Sequence, residues 1–290
     1  RRVRERAADV ARRARVPFDL DLVRPERAGA VLALGYPDRI AVRRSQPGQF
    51  QMRSGGGAFV PPTDPIANER FVVAADLDGK RDNARIRIGA ALDTADLMSA
   101  LADQIERREA LVWDKGRDDL VQRVEMRLGG MLLEETVRSA PPGADTVAAL
   151  VERVRSTRLA ALGWSERAAA LKARVTFLRL EPGSEAAEAW PDWSDAALLR
   201  TLDDWLAPYL VGCTGRADLE RLDTEMLLSA QLDWDASVRL ADLAPATLTT
   251  ASGRSVPIDY SRAMPTVRVR VQDLFGTKVH PTVAGGQVPL

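Results

Sequence analysis

Residues 71–91 read FVVAADLDGKRDNARIRIGAA. Two β-type segments, 71–77 and 84–91, are joined by the turn signal Asp78-Gly79 and a short polar connection, Lys80–Asn83. Polar and apolar residues alternate at the start of the second segment, which is typical of a strand with one face in water. The stretch therefore predicts a β-hairpin.

The β-type pattern extends on both sides of this hairpin. Upstream, apolar residues from Phe50 to Val60 flank the glycines Gly55-Gly56-Gly57. Downstream, Asp93–Leu101 predicts a short helix, and further strands are predicted at 110–113, 120–128 and 131–137. About six strands and one internal helix within residues 46–140 favour a small antiparallel β-barrel of the oligonucleotide-binding (OB) type.

Helical patterns lie before and after the predicted barrel. Residues 1–16 predict an amphipathic helix, and residues 28–44 predict a second helix interrupted at Gly35 and Pro37; together they form a helical segment over 1–45. Pro141-Pro142-Gly143 marks the next boundary. Beyond it, residues 141–290 predict successive helices, two of them capped by Ser165 and Ser194, and then a β-rich end. The predicted fold class is α+β.

Composition excludes several classes of protein. The 290 residues contain one cysteine, Cys213, and one histidine, His280, so neither a disulfide framework nor a multi-histidine zinc site can form. No apolar run approaches 18 residues, so no membrane-spanning helix and no membrane partner are expected, and a cytoplasmic location is predicted. The chain opens without Met and already in a helical pattern, which indicates a piece of a longer protein.

The sequence contains no positive sign of catalysis. Neither the phosphate-binding pattern G-x-x-x-x-G-K-[ST] nor the nucleophile pattern G-x-S-x-G occurs. His280 is interpreted as exposed or locally hydrogen-bonded. Adjacent carboxylates such as Glu134-Glu135 and Asp203-Asp204 diverge in direction, so solvated faces are favoured over a paired acid–base site.

The charge is unevenly distributed although the chain as a whole is neutral. Residues 1–60 contain 13 arginines and six acidic residues, a net charge of +7, and the remainder carries −7. This asymmetry is compatible with a basic face on one domain and an acidic companion. The alternative is ordinary solvated arginines in an arginine-rich composition, since only four of the basic residues are lysines.

Several strings occur in the order found in one family. They are LALGYPDRIA (32–41) with Arg43-Arg44, QFQMRSGGGA (49–58), VVAADLDG (72–79), IRIGAAL (86–92), LDWDA (232–236), LADLAP (240–245), SGRSVPIDY (252–260), VRVRVQDLFG (267–276) and PTVAGGQVPL (281–290). Together they resemble the C-terminal region of HrpB-type DEAH-box ATP-dependent RNA helicases of bacteria, from the tail of the helical bundle onward.

The resemblance implies that the RecA-like motor domains, with their ATP and Mg sites, lie upstream and outside this chain. No cofactor is therefore expected here, no catalytic residue can be carried over, and the chain alone is predicted to be inactive as an ATPase. It also implies that the barrel helps to hold single-stranded RNA or DNA weakly and without base specificity, and that the chain supports its own helicase motor domains.

In such a barrel, arginines would follow phosphates while an aromatic residue stacks on a base. The candidate nucleic-acid-binding residues are Arg39, Arg43, Arg44, Phe50, Arg53, Arg85 and Arg87. The alternative is a solvated surface charge for each arginine and a core position for Phe50.

A competing hypothesis is a structural or protein-interaction module without affinity for nucleic acid. Five of the six tryptophans lie within residues 164–234, in an acidic, helical segment. Trp190-Pro191-Asp192-Trp193 is predicted to lie in a loop and is the candidate patch for a protein partner.

Overall fold

The computed structural model describes residues 2–80, 83–180, 189–262 and 264–290. It divides the chain into two compact units. The first comprises Arg1–Glu109 and Val124–Thr136, and the second comprises Ala110–Arg123 and Val137–Leu290. The combination of helices and sheets confirms the α+β class.

The first unit is built around a closed barrel of five strands. These strands are β1 (Ile40–Arg43), β2 (Gln49–Met52), β3 (Gly57–Phe59), β4 (Phe71–Leu77) and β5 (Asn83–Ala91). Their order is β1-β2-β3-β5-β4, and β4 pairs with β1 to close the barrel. Antiparallel pairing of β4 with β5 confirms the predicted hairpin; part of its connection, Arg81-Asp82, lies outside the described residues.

Three helices of seven to thirteen residues accompany the barrel: α1 (Arg2–Ala14), α2 (Ala28–Gly35) and α3 (Thr94–Ala100). The predicted helix over 28–44 is wrong beyond Gly35. A proline disfavours helical backbone at the residue before it, so Tyr36-Pro37 ends the helix. After one 3₁₀ turn, β1 begins at Ile40, ahead of the predicted barrel start at 46.

The predicted barrel is also wrong in two details of strand pairing. Strands β3 and β5 pair in parallel, not antiparallel. The intervening strand β4 lies on the other side of β5 and runs in the opposite direction, so β5 runs in the same direction as β3. The later strands do not join the barrel. A separate sheet has the order β6-β7-β8, with bounds Ile105–Asp114, Asp119–Leu128 and Met131–Ser139.

The second unit is mainly helical. Its helices are α4 (Ala144–Ser156), α5 (Glu166–Leu180), α6 (Asp195–Arg200), α7 (Leu202–Trp205), α8 (Arg216–Arg221), α9 (Thr224–Ser229) and α10 (Trp234–Leu243). Its short strands are β9 (Thr247–Thr249), β10 (Ser255–Asp259), β11 (Thr266–Val267), β12 (Thr282–Val283) and β13 (Val288–Pro289).

Local signals place the helix ends of this unit. The hydroxyl of Ser165 accepts a hydrogen bond from the Ala168 N–H, and that of Ser194 accepts one from the Ala197 N–H, so both predicted caps are confirmed. At the other end of α10, the Arg174 guanidinium donates to the carbonyls of Leu240 and Ala244. The Leu240 carbonyl also accepts from the Ala244 N–H, whereas the Ala244 carbonyl lies past the helix end, so Arg174 supplies its donor.

Candidate nucleic-acid interface

The two sides of the barrel wall differ in what covers them. On β1 and β4 the outward side chains Ile40, Phe71 and Val73 are fully buried against α2 and α3. Helix α2 lies so close that a Cβ on Gly29 would be 1.9 Å from the Ala91 carbonyl oxygen. This side therefore belongs to the hydrophobic core.

Strands β2, β3 and β5 present a different surface. We use the term polar face for their outward residues together with the adjoining Arg44, namely Arg44, Gln49, Gln51, Phe59, Asn83, Arg85 and Arg87. Their neighbours Phe50, Ala58 and Ile86 point into the barrel and are buried. Among the described outward positions of these strands there is no acidic residue.

Cross-strand register brings the polar face together. Phe59 lies opposite Gln49 on one side and opposite Arg85 on the other. Arg44 donates to the side-chain oxygen of Gln51 at 2.7 Å. Residues paired across neighbouring strands are side-chain neighbours, so an aromatic ring, two amides and two guanidinium groups occupy one surface.

Arg85 and Arg87 lie on the exposed side of β5, as their spacing predicted. Ala84 and Ile86 between them are buried. The pairing of β5 with β4 is irregular here, and the bulge also leaves Ile88 61% exposed. Neither guanidinium group forms a hydrogen bond or ion pair with the part of the chain that the structure describes.

The remaining predicted arginines contact backbone carbonyls or side-chain amides. Arg39 donates to the Ala75 carbonyl at 2.8 Å, and Arg43 donates to the Asn68 carbonyl. Arg53 donates to the side-chain oxygen of Gln104 at 2.9 Å. Arg39 and Arg53 lie outside the polar face. Arg43 is paired with Phe50 across β1 and β2 and so points to the barrel's inner side at its rim.

Phe50 is fully buried inside the barrel, which corrects its choice as a stacking residue and agrees with the core alternative. The aromatic residue on the polar face is Phe59, which sequence reasoning missed. Alternation from Gln49 would have identified Gln51 as outward-facing. It could not have identified Phe59 as outward-facing, because the glycines 55–57 interrupt the alternation and the register of β3 against β2 does not follow from the sequence.

Asp78, in the loop between β4 and β5, carries a carboxylate close to this face. Desolvation opposes ionisation of Asp78. Hydrogen bonds from the backbone N–H groups of Lys80 and Arg85, and the charges of Lys80 and Arg87, outweigh it and hold the pKa of Asp78 below its usual value. Asp78 is therefore ionised at neutral pH and organises the loop that leads into Arg85.

In the second unit, the proposed partner-binding patch at residues 190–193 is wrong. Trp190 and Trp193 are each only 1% exposed, because both rings pack into the core of this unit. The Trp193 ring nitrogen donates to the side-chain oxygen of Gln231 at 3.1 Å. A loop position thus did not imply exposure.

A charged cluster in the second unit is held together internally. The Asp118 carboxylate accepts hydrogen bonds from the Trp113 ring nitrogen at 3.0 Å and from Arg153 at 3.1 Å, and Arg216 lies 3.4 Å away. The hydrogen bond from Trp113 lowers the pKa of Asp118, and the charges of both arginines lower it further, although desolvation acts to raise it. The cluster lines a cavity of about 470 Å³ together with Glu220, which lies 3.7 Å from Arg216, so two carboxylates offset the two arginines.

The other titratable candidates have local explanations. The His280 ring lies 2.7 Å from the Leu290 carbonyl, which confirms its local hydrogen bond. Glu134, Glu135, Asp203 and Asp204 are exposed, as predicted for solvated faces. Within the described residues, no group of three His, Cys, Asp or Glu could hold a metal ion, and no helix is long and apolar enough to cross a membrane.

Comparison with known proteins shows what this chain resembles. Residues 205–290 match the family described as ATP-dependent helicase C-terminal. The chain is 28% identical over 276 residues to ATP-dependent RNA helicase HrpB of Escherichia coli (strain K12), covering 94% of this chain and 33% of that protein. Together these matches show a likeness to the C-terminal part of HrpB-type helicases.

Solved structures of E. coli HrpB resemble this chain as well. One, described as a DExH-box NTPase, has a TM-score of 0.50 and 27% identity, with 98% of this chain and 35% of that chain covered. A second, described as a DEAH/RHA helicase, has a TM-score of 0.49 and 25% identity, with 98% and 36% covered. The chain thus spans about a third of the length of the relatives it matches.

Proposed function

We propose that this chain binds single-stranded nucleic acid on the polar face of its barrel, as an accessory part of an ATP-dependent helicase. The observation that carries the proposal is the set of guanidinium groups on and beside a barrel face without acidic residues. The matched relative is named an ATP-dependent RNA helicase, which makes RNA the first ligand to test.

The strand order supports an OB-type barrel. OB folds are five-stranded Greek-key barrels that bind oligonucleotides through the face of strands 2 and 3 and through adjoining loops. In this barrel β2 and β3 carry Gln49, Gln51 and Phe59 on their outward side. The loop from β1 to β2 begins at Arg44, and the loop from β4 to β5 contains Lys80.

The surroundings of the arginines support binding to phosphate. Arg85 and Arg87 are exposed, and no described carboxylate lies within ion-pair distance of either. A phosphate that replaces their hydration shell therefore displaces no ion-paired carboxylate, although the charge of Asp78 acts on Arg87 from a distance. Contacts of this type carry no base specificity and weaken as salt rises, with a slope of about −0.7 per phosphate for single strands.

The test is fluorescence anisotropy with a labelled oligo(rA) of about 12 nucleotides, within the site size of about 4–16 nucleotides for one OB fold. Affinity should fall with salt. Arg85→Ala combined with Arg87→Ala should weaken binding and reduce the magnitude of the salt slope by about 1.4.

Arg262→Ala combined with Arg268→Ala is the matched control, because both of these arginines are exposed in the second unit and the change in net charge is the same. This control should bind as the unsubstituted chain does. No binding at low salt, or equal losses in the two double variants, would contradict the proposal.

ATP and Mg binding are assigned to other parts of the full-length protein. The chain has no G-x-x-x-x-G-K-[ST] sequence to hold phosphates, so its own residues do not fit the nucleotide. We expect no ATPase activity from the purified chain, with or without RNA. Phosphate release above the blank would show that this assignment is wrong.

A second candidate function, support of the motor domains by protein contacts, is favoured by one surface of the second unit. Val271, Phe275 and Val279 are 70–79% exposed beside a groove of about 450 Å³ that is lined by both apolar and polar side chains. Phe275→Ser with Val279→Ser should reduce binding of the separately expressed remainder of the full-length protein. Arg85→Ala with Arg87→Ala should leave that binding unchanged, and the reverse pattern would exclude this candidate.

A further inference from the structure

The aromatic residues of the barrel strands are divided between two environments. Phe50 and Phe71 are fully buried in the core. Phe59 is partly exposed, and its neighbour Ala58 is the residue that points into the barrel. A phenylalanine on a polar strand face does not contribute to the barrel interior, so its position calls for an explanation other than core packing.

The residues beside Phe59 fit a nucleotide better than they fit a protein surface. Gln49 and Arg85 lie directly across from it on the two neighbouring strands. An aromatic ring offers its face to a base, an amide can donate to and accept from base or ribose, and a guanidinium binds phosphate. Side chains paired across strands are about 5 Å apart at Cβ, close enough to contact one nucleotide together.

We propose that Phe59 is a base-stacking platform, and that Arg85 binds the phosphate beside the stacked base. The inference rests on the proposed function and narrows its substrate class to strands with unstacked bases. Every base has a π-face, so the platform tolerates any sequence. Bases in a duplex are already stacked on each other, so the polar face selects single strands.

The experiment compares two ligands of equal length and charge, oligo(rA) and an oligonucleotide without bases. Phe59→Ala should weaken binding to oligo(rA) by about 5- to 100-fold, as expected for the loss of one stacked base. It should leave binding to the abasic strand and the salt slope unchanged, because phosphate contacts remain. Phe59→Tyr and Phe59→Trp, which keep a ring, should retain most of the affinity for oligo(rA).

Two controls separate stacking from folding. Phe59→Leu keeps an apolar side chain without a ring and should behave as Phe59→Ala. Phe275→Ala removes a ring that is 71% exposed in the second unit and should change neither ligand. Circular dichroism on each variant verifies the fold.

The outcomes distinguish the two proposals. If the unsubstituted chain binds neither ligand at low salt, the proposed function fails and the platform fails with it. If binding depends on salt and on Arg85 and Arg87, but Phe59→Ala weakens both ligands equally or neither of them, only the platform is overturned. Selective loss of oligo(rA) binding in Phe59→Ala and Phe59→Leu supports both.

Discussion

The arginines of the barrel and those of the second unit differ in what their guanidinium groups contact. Within residues 39–87, the described arginines donate to backbone carbonyls or side-chain amides, or form no hydrogen bond at all, and none pairs with a described carboxylate. These arginines are Arg39, Arg43, Arg44, Arg53, Arg70, Arg85 and Arg87. In the second unit, Arg153 and Arg216 share Asp118, and Arg155 pairs with Asp203.

This difference teaches how to interpret an arginine-rich sequence. A guanidinium bonded to a carbonyl keeps its full charge, whereas one paired with a carboxylate is neutralised. Residues 40–91 contain eight basic and five acidic residues, so the barrel retains positive charge. Arginine thus gives the barrel a positive charge, whereas in the second unit it stabilises the fold through ion pairs. Substitutions should separate these two roles.

The largest effect on stability is expected at Arg174. Its guanidinium is half-buried, desolvation lowers its pKa, and it donates to two carbonyls at the end of α10. Arg174→Ala leaves the Ala244 carbonyl without a donor, removes one of the two donors of the Leu240 carbonyl, and should reduce the free energy of unfolding by about 3 kcal/mol. Urea denaturation measures the change, and Arg200→Ala, at an exposed arginine of α6, is the control. If Arg174→Ala lowers the free energy of unfolding no more than Arg200→Ala does, the stabilising role of Arg174 in the second unit is contradicted.

A smaller loss is expected at Arg153. Its guanidinium lies 4.2 Å from the centre of the Trp113 ring and 3.1 Å from Asp118, and its side chain is 29% exposed. Arg153→Ala removes both contacts and should cost about 2 kcal/mol. Arg153→Lys keeps the charge without the planar fork and should recover only part of the loss. Full recovery would show that charge alone matters at this position.

A pH-dependent effect of about 1–2 kcal/mol is expected from Tyr260. Burial raises the pKa of Tyr260 to about 12 from its usual value of 10.0, although the nearby charge of Arg174 acts in the opposite direction. A raised folded-state pKa contributes stability that is complete below about pH 10 and is lost as the pH rises toward about 12.

Denaturation at several alkaline pH values measures this loss, and Tyr260→Phe should remove that part of it. Tyr36 and Tyr209 remain in the variant and serve as internal references. Equal slopes of stability against pH in the two proteins would contradict the assignment to Tyr260.

The smallest effect on stability is expected where the effect on binding is largest. Arg85→Ala with Arg87→Ala removes two exposed guanidinium groups that hold nothing in the described structure, so the free energy of unfolding should change by less than about 0.5 kcal/mol. Thermal unfolding checks this, beside the anisotropy titration. A larger destabilisation would mean that these arginines support the barrel, as Arg174 supports α10.

Much of the fold could be predicted from local patterns. The hairpin of β4 and β5, the helix after Asp93 and the caps at Ser165 and Ser194 all depend on residues near one another in the chain, and all were confirmed. The helix predicted over 28–44 ends at Tyr36-Pro37, which is a local signal, but the strand that follows at Ile40–Arg43 depends on long-range pairing with β2 and β4. Pairing of this kind cannot be read from a short window.

The candidate site was less predictable than the fold. Alternation correctly placed Arg85 and Arg87 on one side of a strand, because a strand's period of two depends only on the strand itself. It could not say that Phe50 is buried and Phe59 outward, because a shift of one residue moves a side chain to the other face. Nor could loop position reveal that Trp190 and Trp193 lie in a core.

By itself, the sequence determined the α+β class, the likeness to HrpB helicases and the absence of a phosphate-binding motif, since each rests on residue types and their order. Only the tertiary structure decided which arginines meet carboxylates and which aromatic ring shares a surface with Arg85. Those neighbours are brought together by pairing between distant strands and helices, and their charges and rings act through distance in space rather than separation along the chain.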